Sequence, residues 1–400
     1  MRHHITVSIT SCLLAVLLGT AGCGGPSKAG LEAREQAYGR IDQVNTQISY
    51  SQARQSFETG QLRDALDLIQ DAVDRYPQSA EYHLLHGRIL IELHRLDAAR
   101  ASLEAAIERD DQLHEAHYFL GIVHQRWSED EEAFAQYQRA SELEETKPQY
   151  LLAAAESLIA LQRYDEAKSL VHHRLRRFEH HPAFRHLLGQ IARLQGDLAG
   201  AARLYEEASL LQPDDLQLVV EVANAQFAAG DVPGCLDTLR VLEMRGHDFE
   251  PQQQLLRARC LVQANRCIDA RPLYRALCTE HPHDEILWTE LGWLSWMLED
   301  WRGLRDAAEQ VTSLNADASR GWLLLAVADR ATGQLADAES HLLNAVQCAD
   351  VEALAWVILA RVRMQQGDSS GAAEAMRMAS ALDEALNDHP LVAGVVGSGG

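Results

Sequence analysis

The chain has 400 residues, 47% of them hydrophobic but only 6% aromatic, with 10 prolines and a formal net charge of −22. A chain this apolar is not a disordered one, and an acidic surface of that size repels phosphate backbones, which excludes nucleic acid as a partner. Four hundred residues would ordinarily divide into two or three globular domains, unless a repeat lets the length grow without a larger core.

At the start, Arg2 precedes the apolar stretch Ile5 to Leu18, which gives way to Gly19-Thr20-Ala21-Gly22-Cys23. A basic start, a short apolar run and small residues before a cut site predict a secretory leader over residues 1–22; the run is too short to span a bilayer permanently. The small residues before Cys23 resemble the lipobox of bacterial lipoproteins, with Thr20 standing where Leu is usual. That resemblance implies that Cys23 becomes the first mature residue and carries acyl chains, several of which anchor stably where one does not. Gly24 rather than Asp after the Cys implies sorting to the outer membrane, facing the periplasm. The plainer alternative is a cleaved leader without lipidation. Residues 23–45 then read as the lipidated Cys, a short tether from Lys28 to about Leu31, and a capping helix over Leu31 to Asn45.

Beyond Asn45 the sequence repeats. A frame of 34 beginning at Thr46 restarts at Ala80, His114, Pro148, Pro182, Leu216, Pro251, Glu285, Ser319 and Ala353, with one interval of 35 at Pro251. Position 8 is Gly or Ala in all ten units, from Ala53 to Ala360, and position 20 is Ala in eight, the exceptions being Cys235 and Leu304. Gly stands at position 15 in five units (Gly60, Gly196, Gly230, Gly333 and Gly367), where a helix must stop. Pro77, Pro213 and Pro282 at position 32 close the second helix of their units. The pattern predicts helical hairpins whose small residues sit where the two helices cross, with looser packing at Cys235 and Leu304. Large apolar residues such as Leu120, Tyr137 and Leu143 flank them at helical spacing. No hairpin can bury its apolar stripe alone; stacking does it.

From Thr46 to Leu386 this pattern resembles the tetratricopeptide repeat family, most plainly in Trp288-Thr289-Glu290-Leu291-Gly292. The resemblance implies an all-α chain, a right-handed α-solenoid of about ten hairpins, with residues 387–400 as a flexible Gly-rich tail. Repeats consume the chain, and no glycine-rich phosphate loop, nucleophile elbow or paired-Cys zinc signature interrupts them, so neither catalysis nor a cofactor is expected. His114 and His117 lie one turn apart with His124 further along. Helical histidines at that spacing can ligate a metal, although surface or inter-helix histidines are the plainer reading. Of the cysteines past Cys23, Cys235, Cys260, Cys267, Cys278 and Cys348, the pair Cys260 and Cys267 brackets the turn of the seventh unit, a spacing that suits a hairpin staple.

The same resemblance implies that the first helix of each hairpin lines a concave face through positions 2, 5, 9, 12 and 13. In the eighth unit these include Trp293, Trp296 and Met297, flanked by Arg259, Arg330 and Arg361 from neighbouring units. Aromatic residues rimmed by Arg make the composition of a binding hot spot. Tyr50, Arg54, Arg88 and Tyr118 form a second candidate. Position 5 is never Lys, which disfavours the acidic chaperone tails that some family members clamp. The expected function is a membrane-anchored scaffold that binds envelope proteins or extended peptides, with a glycan-binding cell-wall accessory as the alternative.

Overall fold

The computed structural model describes residues 28–383, and every regular element among them is a helix. The leader, Cys23 and the tail over residues 387–400 lie outside the described residues. By their contacts the described residues fall into two compact units, one ending at Glu179 and the other beginning at His180.

The first unit holds four hairpins: α1 (Lys28–Glu58) with α2 (Leu62–Arg75), α3 (Ala80–Glu92) with α4 (Leu96–Arg109), α5 (His114–Arg126) with α6 (Asp130–Leu143), and α7 (Pro148–Ala160) with α8 (Tyr164–Arg174). The second holds six. They are α9 (Pro182–Leu194) with α10 (Leu198–Leu211), α11 (Leu216–Ala228) with α12 (Val232–Met244), and α13 (Pro251–Gln263) with α14 (Cys267–Glu280). Then come α15 (Glu285–Met297) with α16 (Trp301–Leu314), α17 (Ser319–Ala331) with α18 (Leu335–Ala345), and α19 (Ala353–Gln366) with α20 (Ser369–Leu382). From Ala80 onward, each odd-numbered helix begins at the residue where the 34-residue frame restarts. Within each unit every helix packs on the next, and first helices also meet across hairpins, α3 beside α5 and α15 beside α17. Each unit is thus an all-α stack of helical hairpins.

The N-terminal part departs from the expected plan. From Lys28 to Glu58 the chain is one 31-residue helix, so the tether and separate capping helix expected before Thr46 are continuous with the first repeat helix. Gly39 is the only Gly between Leu31 and Thr46 and no Pro interrupts them, so no strong breaker stops the helix.

The turn inside each hairpin explains the position-15 glycines. All five adopt positive φ, between 78° and 89°. In the other five hairpins His94, Ser128, Gln162, Asn265 and Glu299 occupy the same place with φ between 55° and 61°. The backbone therefore makes one left-handed step in every hairpin, whatever the side chain, and only glycine makes it without steric cost. Replacing Glu299 by Gly is expected to stabilise the second unit by about 0.5–1 kcal/mol, read as a higher urea midpoint. A lower midpoint would mean that the side chain contributes more than the backbone strain costs.

Four second helices start from an Asp whose carboxylate accepts a hydrogen bond from the amide of a Gly three residues on: Asp197 with Gly200, Asp231 with Gly234, Asp300 with Gly303 and Asp368 with Gly371. In the core, position 8 faces position 24 of the partner helix. A Cβ on Gly87 would lie 2.6 Å from Leu103 Cγ, and one on Gly189 would lie 2.8 Å from the Tyr205 ring. The small residue makes room for the large one. The two exceptions at position 20 do not loosen the stack: Cys235 and Leu304 are both fully buried.

Candidate functional site

Helix α15 carries the most apolar exposed surface of the expected site. Leu287, Leu291 and Leu294 turn into the core. Trp293, Trp296 and Met297 follow at i, i+3 and i+4, so they share one side of the helix. Trp293 is half-buried against the core formed by α16 to α20, and the Trp296 ring meets it edge-on at 6.1 Å between centroids. That geometry suits the ring quadrupoles. Trp296 and Met297 each remain 46% exposed, and Ile286 on the same helix 56%.

The three arginines have different fates. Arg259, expected to rim the site, is engaged within the protein: its guanidinium donates to both carboxylate oxygens of Glu290 on α15, the shortest bond being 2.6 Å. Tyr274 Oη donates to the same carboxylate at 2.8 Å. Burial first, and then that carboxylate, pushes the Tyr274 hydroxyl well above its ordinary range. Arg259 therefore joins α13 to α15 through an ion pair. Arg330 on α17 makes one long hydrogen bond, 3.4 Å from Nε to Gln365 Oε1 on α19. Arg361 on α19 is exposed, with no ion pair among the described residues. The structure thus brings the two indoles together, pairs Arg259 with Glu290, and gives Arg330 and Arg361 no ion pair among the described residues.

The second candidate falls in the first unit and is more enclosed than expected. Tyr50 stacks on Tyr82 at 4.9 Å, Tyr118 lies 4.8 Å from Tyr150, and Arg54 pairs with Glu58. Burial and then the Glu156 carboxylate raise the Tyr118 hydroxyl. Arg88 sits between the Phe57 and Phe119 rings, 5.3 and 4.8 Å from their centroids. Phe57 occupies position 12 and was findable from the register; Phe119 and Tyr150 lie off the expected positions. A recess outside both expected sites opens in the second unit, about 310 Å³, its polar lining including Gln190, Arg193, Glu221 and Asn224 of α9 and α11. Gln190, Arg193 and Asn224 stand at positions 9, 12 and 9, so the register held that signal too.

The histidines are engaged locally. His114 Nδ1 bonds Tyr150 Oη at 2.9 Å, His117 Nδ1 bonds Gln136 at 2.8 Å, and His124 Nδ1 bonds Glu129 at 2.7 Å. Among the described residues no group of three or more His, Cys, Asp or Glu side chains is placed to hold a metal ion.

Models of the tetratricopeptide repeat match residues 50–114, 84–146 and 152–215, and a second such model matches residues 192–260. Together these cover just over half of the chain. The chain belongs to the tetratricopeptide repeat family. Its fold is accordingly that of a protein- or peptide-binding scaffold. A curated relative, Superkiller complex protein 3 of Mus musculus, is 33% identical over 95 residues, which are 22% of this chain and 6% of that protein. The chain therefore spans a small part of that relative's length. Among solved structures, YrrB, described as a tetratricopeptide protein with an unusual peptide-binding site, matches with 19% identity and a TM-score of 0.38, over 43% of this chain and 88% of that one. PilF of Pseudomonas aeruginosa matches with 18% identity and a TM-score of 0.41, over 51% and 92%. Naa15/Naa10 bound to HypK matches with 16% identity and a TM-score of 0.36, over 88% and 65%.

Proposed function

We propose that this tetratricopeptide protein is a scaffold tethered to the outer membrane through Cys23, which holds envelope proteins or extended peptides against the first-helix face of its second unit. Its place is in the assembly of a cell-envelope complex. One observation carries the reading of the site: a Trp and a Met on one side of α15 stay half-exposed while the leucines of that helix are buried. Large apolar side chains left to water, with the half-buried Arg330 and the exposed Arg361 on later first helices of the same unit, are the ingredients of a hot spot. The indoles would take an apolar side chain, and Arg330 or Arg361 a carboxylate. No helix of the described residues is long and apolar enough to cross a membrane.

The test is a pull-down from detergent-solubilised membranes with the wild type and a Trp293→Ala/Trp296→Ala double variant as baits. The double variant is expected to lose the specific partner, a fall of at least tenfold if the indoles contribute about 2 kcal/mol or more. Identical recoveries would remove the groove from the reading. Arg330→Ala separates ligand classes: a peptide carboxylate requires Arg330, whereas a glycan stacked on the indoles tolerates its loss.

A further inference from the structure

Cys235 and Cys260 come from consecutive hairpins of the second unit. Cys235 lies on α12 at position 20, where Ala stands in eight of the ten repeats, and Cys260 lies on α13. Both are fully buried, among Val220, Ala223, Leu239, Leu242 and Leu256. Their Sγ atoms are 3.2 Å apart. A disulfide requires about 2.05 Å, so an approach of about 1 Å closes the bond. The hairpin staple expected between Cys260 and Cys267 is displaced by this geometry: the sulfur that Cys260 meets is that of Cys235. The hydrogen bond between the two thiols holds Cys260 below the ordinary thiol range and Cys235 above it. By contrast, burial first and then the Asp284 carboxylate push the Cys278 thiol up to about 12. The pair also sits at a particular place in the chain. Between α12 and α13 the repeat interval lengthens from 34 to 35, and the connection Gly246 to Glu250 is the place where the register of the stack is interrupted.

We propose that Cys235 and Cys260 form a disulfide that joins the sixth hairpin to the seventh when the chain is exposed to a disulfide oxidant. The Cys260 thiolate attacks one sulfur of the oxidant, breaking its S–S bond, forming a mixed disulfide and releasing one thiolate. The Cys235 thiolate then attacks the Cys260 sulfur, forming the internal bond and releasing the second. The two thiol protons go to the two released thiolates, so the oxidant is reduced to two thiols as the pair is oxidised. Because both sulfurs are buried, exchange takes place during folding or on local opening of the α12–α13 junction.

The full chain, refolded in a buffer of oxidised and reduced glutathione, is denatured, alkylated without reductant and digested. The expected product is a peptide pair joined through Cys235 and Cys260, about 2 Da lighter than its two free components. Cys235→Ala and Cys260→Ala each abolish that product, and Cys267→Ala leaves it in place. Ala is the usual residue at position 20, which makes Cys235→Ala the milder variant. A Cys260–Cys267 product, or complete alkylation of Cys235 and Cys260 after oxidation, overturns the proposal. An independent reading on the wild type is its thermal midpoint, expected to rise by several degrees on oxidation and to return with reductant; an unchanged midpoint counts against the bond.

Discussion

Gly121→Val is expected to destabilise the first unit by about 2–3 kcal/mol, seen as a lower urea midpoint at unchanged slope. Even the first carbon of the new side chain would lie 2.6 Å from two ring carbons of Tyr137. That ring has nowhere to go: it is 1% exposed, its hydroxyl donates to Gln125 at 2.8 Å, and Tyr118 lies against it at 5.6 Å. Either α5 moves off α6 or the Tyr137 ring leaves its pocket, and both break the interlock on which the hairpin depends. Gly39→Ala is the matched control. A Cβ there meets nothing within 4 Å, so the better helix former is expected to stabilise α1 by about 0.5–1 kcal/mol. Opposite signs for the two substitutions separate close packing from helix propensity.

Asp329→Ala is expected to cost the second unit about 2–4 kcal/mol. Asp329 on α17 is completely buried, and its carboxylate accepts from Arg305 Nη2 of α16 at 2.5 Å and from His341 Nδ1 of α18 at 2.7 Å. One buried carboxylate therefore ties three successive helices. Removing it leaves the guanidinium with Gln334, 2.6 Å from its Nη2, and leaves the imidazole, which lies against Trp322, without its acceptor. Asp329→Asn keeps the shape and loses the charge, and its expected cost is about half as large. Equilibrium denaturation of the three proteins decides the matter; a loss below about 1 kcal/mol for Asp329→Ala would show that the helices hold without the carboxylate.

From Ala80 onward the starts of the first helices were legible because they rest on residue types with a single physical meaning. Ala and Gly at position 8 accommodate a large neighbour, and Pro at position 32 stops a helix. Where meaning depends on a distant partner, legibility ended. The left-handed turn was visible at Gly60 or Gly333 but not at Ser128 or Glu299, whose side chains carry no preference for it. Arg259 occupies a concave position and reads as available; only the fold reveals Glu290, one hairpin on, closing upon it. The cysteines teach the same point from the other side. Cys260 and Cys267 are near in sequence, whereas the sulfur contact runs to Cys235 on the preceding helix, in the hairpin before. Trp296 was legible as a surface residue because its position in the register turns it away from its own core.

In the proposed function a partner docks on the first-helix face around Trp296. A photo-reactive amino acid placed at Trp296, or at Met244 on α12 where 78% of the side chain is exposed, tests it in the full chain inside its own cells. Partner adducts are expected at residue 296 and not at residue 244. Adducts of equal yield at both, or at residue 244 alone, would contradict it.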